Sequence, residues 1–99
     1  MSTADTLRRA KQNIIDKGWR QGSRWIGNIP QRPGCCAFDA FELFNTQIGN
    51  ANGAIAKLVE AMGVPGINDG IVWNDTPGRT VDEVLAVYDK AIALAEAAP

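Results

Sequence analysis

Histidine is absent from the chain, and cysteine occurs only as the adjacent pair Cys35 and Cys36. The first absence removes the commonest general base and the commonest metal ligand together. With two thiols and carboxylates left as ligands, no structural metal site is expected, and no nucleotide motif implies a cofactor. Neighbouring cysteines close no useful loop, so a disulfide framework is not expected and a reducing compartment, the cytoplasm, suits the chain. No apolar run approaches the roughly 20 residues needed to cross a bilayer. Met1-Ser2-Thr3-Ala4-Asp5 also lacks the basic-then-apolar layout of a secretory signal.

What is present fits one globular domain over residues 1–99: 45% of residues are apolar and 21% charged. The net charge of −1 is unevenly spread. Up to Gly34, seven cations face only Asp5 and Asp16, a net of +5; from Cys35 onward Lys57, Arg79 and Lys90 face nine carboxylates, a net of −6. Either the two parts lie together and neutralise one another, or the first forms a basic surface for an acidic partner.

Hydrophobic spacing predicts four helices and an all-α fold with two long ordered loops. In the first helix Ala4, Leu7, Ala10, Ile14 and Ile15 recur at helical spacing, with Ser2 or Thr3 as cap and Gly18 as stop. A second, from Cys35 to Ile48, carries a broad stripe through Ala37, Phe38, Ala40, Phe41 and Phe44, and Gly49 ends it. A third starts at a cap on Asn50 or Asn52, points Ile55, Leu58, Val59 and Met62 to the core, and stops at Gly63 ahead of Pro65. The fourth opens on Thr80-Val81-Asp82-Glu83, a capping box, and runs to about Ala97. Its core stripe is Val84, Leu85, Tyr88 and Ile92; a second stripe of Val87, Ala91 and Leu94 is expected to face outward and to serve a homodimer. Between helices one and two, Gly22-Ser23 flanked by Trp19 and Trp25 suggests a short β-hairpin. Residues 64–79 read as a loop, with turn signals at Pro65-Gly66, Asp69-Gly70 and Pro77-Gly78 and an apolar plug or strand at 71–73.

Two segments hold the candidate binding residues. Trp73, Asn74, Asp75 and Arg79 set an indole, an amide, a carboxylate and a guanidinium beside a helix N-terminus, where a phosphate or carboxylate could be held. The competing reading is structural: Trp73 fills the core, Asn74 and Asp75 make turns, and Arg79 pairs with Asp75. Trp19, Gln21 and Trp25 form the second group, able either to anchor a partner or to close the core around a long loop. The two groups are expected to meet, with Trp19 and Trp73 largely buried. Cys35 and Cys36, at a predicted helix start, are either activated thiols or small buried hydrophobes.

Gly18-Trp19-Arg20-Gln21-Gly22, Cys36-Ala37-Phe38-Asp39-Ala40 and Trp73-Asn74-Asp75-Thr76-Pro77-Gly78-Arg79-Thr80, in that order, resemble a family of small proteins of unassigned activity from actinobacteria and their phages. The family's usual Cys-Leu-Leu-Gly-Ala stands here as Cys36-Ala37-Phe38-Asp39-Ala40, so Asp39 replaces a small residue. The resemblance implies an actinobacterial or phage setting, with the host's cytoplasm as the location if the chain is phage-encoded. The functional expectation is a non-enzymatic accessory protein that binds another protein. A small anionic-ligand module, or an unusual enzyme using the two tryptophan segments, is the alternative; nucleic acid is disfavoured by the acidic remainder, and no membrane contact is expected.

Overall fold

The computed structural model describes residues 2–21, 25–26, 29–30, 36–41 and 48–97. The architecture is all-α, built from α1 (Thr3–Lys17), α2 (Ile48–Met62), α3 (Ile67–Asp75) and α4 (Val81–Ala97). A single 3-10 turn spans Asp39–Phe41, and two-residue strands β1 (Trp25–Ile26) and β2 (Ile29–Pro30) pair antiparallel, Trp25 with Pro30 and Ile26 with Ile29. Gly22-Ser23, the expected turn pair, lies outside the described residues.

Helices α1, α2 and α4 pack pairwise around one core. Leu7, Ala10 and Ile14 enter it from α1, Ala54, Leu58 and Ala61 from α2, and Val84, Tyr88 and Ala91 from α4. Four alanines among these nine residues keep side-chain bulk low at the crossings and let the helix axes draw close. Ile15 departs from its predicted place on the α1 stripe and is 53% exposed. The α4 stripe expected to face outward is partly turned in: Ala91 is fully buried, and Val87 and Leu94 are partly buried against the core.

Helix ends follow local chemistry. The Ser2 hydroxyl accepts the Asp5 N–H at 3.1 Å, and the Gly18 N–H bonds back to Ile14 O at 2.9 Å. At the end of α2, Gly63 N–H donates to Glu60 O and Val64 N–H to Val59 O, the paired bonds of a Schellman stop. The capping box forms as the sequence dictates: Glu83 N–H donates to Thr80 Oγ1 at 3.3 Å, and Thr80 N–H to Glu83 Oε1 at 3.0 Å. Thr80→Ala is expected to cost about 1 kcal/mol, visible as a lower urea midpoint at unchanged slope; coincident midpoints would mean that the cap contributes nothing.

Two segments depart from expectation. The predicted helix from Cys35 to Ile48 is a turn and one 3-10 turn over its described part, 36–41, while its last residue, Ile48, begins α2. Gly49, Asn50 and Asn52, expected to break and cap, run inside α2, because docking against α1 and α4 outweighs their poor helix propensity. The predicted loop 64–79 holds the nine-residue α3, so Asp69-Gly70 is helical and residues 71–73 are not a strand.

Part of the polarised charge is met by contact between the halves. Arg8 reaches Glu96 at 2.8 Å, and Lys11 reaches Asp89 at 2.5 Å, both from α1 to α4. These pairs are solvent-exposed and contribute little stability each, but they remove much of the basic character of the first helix as a binding surface. Among the described residues no helix is long and apolar enough to cross a membrane.

Candidate functional site

Asn74 lies near the C-terminal end of α3, 1% exposed. Its Oδ1 accepts from the Trp19 indole N–H at 2.7 Å and from the Ala37 backbone N–H at 3.0 Å. Its Nδ2 donates to Arg20 O at 3.4 Å and to Asp75 Oδ1 at 3.0 Å. Two lone pairs and two N–H bonds are all that a carboxamide has, so the side chain is fully used. Its orientation is also determined: a flipped amide would set Nδ2 against two donors.

Around this hub the two tryptophan segments meet. Gln21 Nε2 donates to Asn74 O at 3.2 Å and to Thr76 O at 2.7 Å. Trp19 and Trp73 are both partly buried and pack against the core. On the other side, Tyr88, fully buried on α4, donates its hydroxyl to Ala37 O. Ala37 is therefore held through its N–H by α3 and through its carbonyl by α4, which fixes segment 36–41 as a plug between helices.

Trp73 through Thr80 makes a second, adjoining arrangement. The Thr76 hydroxyl returns to Val72 O at 2.8 Å, closing α3. Pro77 and Gly78 occupy the centre of a turn closed by Arg79 N–H to Thr76 O at 3.0 Å. The φ of 87° at Gly78 is the left-handed value that a type II turn demands at that position, which glycine adopts without strain. The turn carries Arg79 back over the Trp73 ring, its guanidinium carbon 3.9 Å from the centroid. Arg79 Nε donates to Trp73 O at 3.0 Å and Nη1 to Glu83 Oε2 at 2.8 Å. The predicted Asp75 pairing gives way to Glu83, one helical turn into α4.

The anion expected at this helix N-terminus is thus one of the chain's own. The Glu83 carboxylate takes the Thr80 N–H, the Thr80 hydroxyl and the Arg79 guanidinium. The Thr80 N–H foremost, and then the Arg79 guanidinium, hold its carboxyl below the ordinary value of 4.5. A depressed carboxylate contributes stability that is present above its unfolded pKa and lost as pH falls through the folded one. Glu83→Gln should therefore lower the melting temperature at neutral pH, and the gap from wild type should close below about pH 4. A gap that stays constant across that range would break the link.

Of the residues singled out from sequence, the structure gathers Trp19, Gln21, Trp73, Asn74, Asp75 and Arg79 into one contiguous network. Trp25 falls in β1, and its side chain lies outside those described. Cys36 is buried in the turn ahead of the 3-10 segment, so the helix start expected to activate its thiol is not there; Cys35 lies outside the described residues. Sequence reasoning missed the outer side of α3, where Ile67 and Ile71 are each 43% exposed and Val72 66%. The i, i+4 spacing of the two isoleucines was the available signal, masked by the turn-like Pro65-Gly66 and Asp69-Gly70.

Fold and network together define a small helical domain whose polar centre ties backbone segments to one another. Residues 1–94 match the Family of unknown function (DUF6197), and the chain belongs to that family. No curated protein and no solved structure matches it.

Proposed function

We propose that the protein is a non-enzymatic accessory protein, in an actinobacterial or phage setting, that acts in the cytoplasm by binding another protein. The observation that carries this reading is the contrast between its two surfaces of interest. The polar groups of Asn74, and Nε and Nη1 of Arg79, are engaged inside the chain, whereas large apolar side chains stand in solvent on α3. Unpaired polar groups are what a small anionic ligand or a reaction would use; exposed apolar side chains are what a protein partner covers.

Affinity capture from host lysate, with nuclease and free phosphate in the wash, tests the proposal. A protein retained in roughly equal amount with the bait supports it. Retention of no protein, together with thermal stabilisation by phosphate or nucleotides, would transfer the assignment to an anionic-ligand module.

A further inference from the structure

Helix α3 is held at one end. Among the described residues, the side-chain hydrogen bonds that tie it to the rest of the chain gather at residues 73–76. Asn74 is bonded to Trp19, Ala37 and Arg20, Gln21 reaches Asn74 O and Thr76 O, and Arg79 reaches Trp73 O. Trp73 adds apolar contact with the core.

Residues 66–71 have no such tie among the described residues. Gly66 holds the cap position and offers no side chain to the free N–H groups of the first turn. Only Gly70 is buried in this half, against Phe38 and Met62, and a glycine contributes little apolar area of its own. Ile67 and Ile71, whose burial would fasten the helix to a core, are exposed. Few buried apolar contacts and no side-chain tie mark a segment that opens well below the free energy of global unfolding. Gly66 also supplies a pivot: a Cβ there would meet nothing within 4 Å, so its backbone can turn without collision.

We propose that residues 66–71 form a flap, hinged at Gly66 and anchored at Asn74, that opens while the rest of the domain stays folded. In the closed form Ile67 is one wall of a groove of about 500 Å³, shared with Ile55 and Val59 of α2 and with Val64 and Pro65 of the connection. Opening withdraws that wall and lifts Gly70 off Phe38 and Met62. Met62 lies next to Val59 on α2, three residues on, so the apolar floor under Gly70 joins the groove. The groove therefore has a small and a large form, set by the order of one short segment. The inference stands apart from the binding function proposed above.

Hydrogen exchange on the full chain, followed group by group by NMR, tests this. The Gly70 N–H, bonded to Gly66 O at 3.0 Å, reports the flap. The Trp19 indole N–H and the Ala37 N–H, both bonded to Asn74 Oδ1, report the anchor. Protection at Gly70 should be at least about 100-fold lower than at the anchor pair, and nearly independent of low urea, because the opening exposes little surface. Gly66→Asp, at a position whose extended backbone and open surroundings admit a side chain, caps the first turn. It should slow Gly70 exchange about threefold and leave the anchor pair unchanged. Equal protection at all three groups, with one urea dependence, would mean that α3 opens only when the domain unfolds, and would overturn the proposal. Rapid exchange of all three would overturn it as well, since Asn74 would then anchor nothing. A Gly66→Asp variant that slows the three groups alike, or leaves Gly70 as it was, would remove the hinge from Gly66 and the flap with it.

Discussion

Replacing Asn74 with alanine is expected to destabilise the fold by about 3–5 kcal/mol, among the largest effects available to one substitution in this chain. The side chain is buried and makes four hydrogen bonds with partners from three separate segments. Truncation leaves the Trp19 indole N–H and the Ala37 N–H without their acceptor, each at about 1–3 kcal/mol, and opens a small cavity beside them. Urea unfolding should show a large drop in midpoint at nearly unchanged slope. Asn74→Asp separates the acceptor role from the donor role. It keeps an oxygen for Trp19 and Ala37 but sets a new carboxyl against Asp75, where the amide donates at 3.0 Å. Burial and the neighbouring carboxylate raise the folded pKa of that carboxyl above its unfolded value of about 3.9. The protonated form, which can still donate, is therefore favoured by folding. Stability is present below the unfolded pKa and is lost as pH rises through the folded one. Asn74→Asp should approach wild type near about pH 4 and fall away towards neutrality, while Asn74→Ala stays equally impaired at both. Parallel pH profiles for the two variants would show that the donor side of the amide is idle.

The parts of this fold that were legible in the sequence are those fixed by neighbours along the chain. Ser2, Gly18, Gly63 and the Thr80–Glu83 box act over three to five residues, and each does what its spacing dictates. The misread segments are those decided by contacts across the molecule. Ala37, Ala40 and Phe41 have the spacing of a helix face, yet they are a plug held by Asn74 on one side and Tyr88 on the other. A short apolar run buried on all sides carries no period that separates plug from helix. Pro65-Gly66 and Asp69-Gly70 carry genuine turn chemistry, but the first pair only begins α3, and the second lies within it. The candidate site divides in the same way. That the two tryptophan segments belong together could be argued from their shared anchoring residues; that Arg79 would choose Glu83, or that Asn74 would join Trp19 to Ala37, depends on a fold that no local pattern contains.

One consequence of the network is the direction in which α3 faces. Asn74 and Gly70 are one turn apart on its buried side, so the bonds that hold Asn74 also keep Ile67 and Ile71 turned to solvent. The polar centre orients this exposed apolar surface without taking part in it.

Gly70 marks how closely that buried side approaches its neighbours. A Cβ there would sit 2.6 Å from Phe38 Cζ and 3.2 Å from Met62 Sδ, the first shorter than real contacts allow. Glycine inside a helix costs about 1 kcal/mol relative to alanine, and here the cost is tolerated because nothing larger fits under the Phe38 ring. Gly70→Ala sets that recovered propensity against displacement of a buried ring and is expected to be destabilising, by about 1–2 kcal/mol. Gly70→Val adds two methyl groups to the overlap as well as a β-branched side chain, and is expected to cost about 2–4 kcal/mol. Phe38→Ala, at a 9% exposed position, should cost about 3–5 kcal/mol alone. Because the two substitutions act on one contact, the first filling the space that the second vacates, the double variant should be more stable than their sum by over about 1 kcal/mol. Urea melts of the four proteins at one pH give this coupling directly. Costs that add would mean that valine at position 70 is accommodated elsewhere, and that α3 is not seated against Phe38 as described.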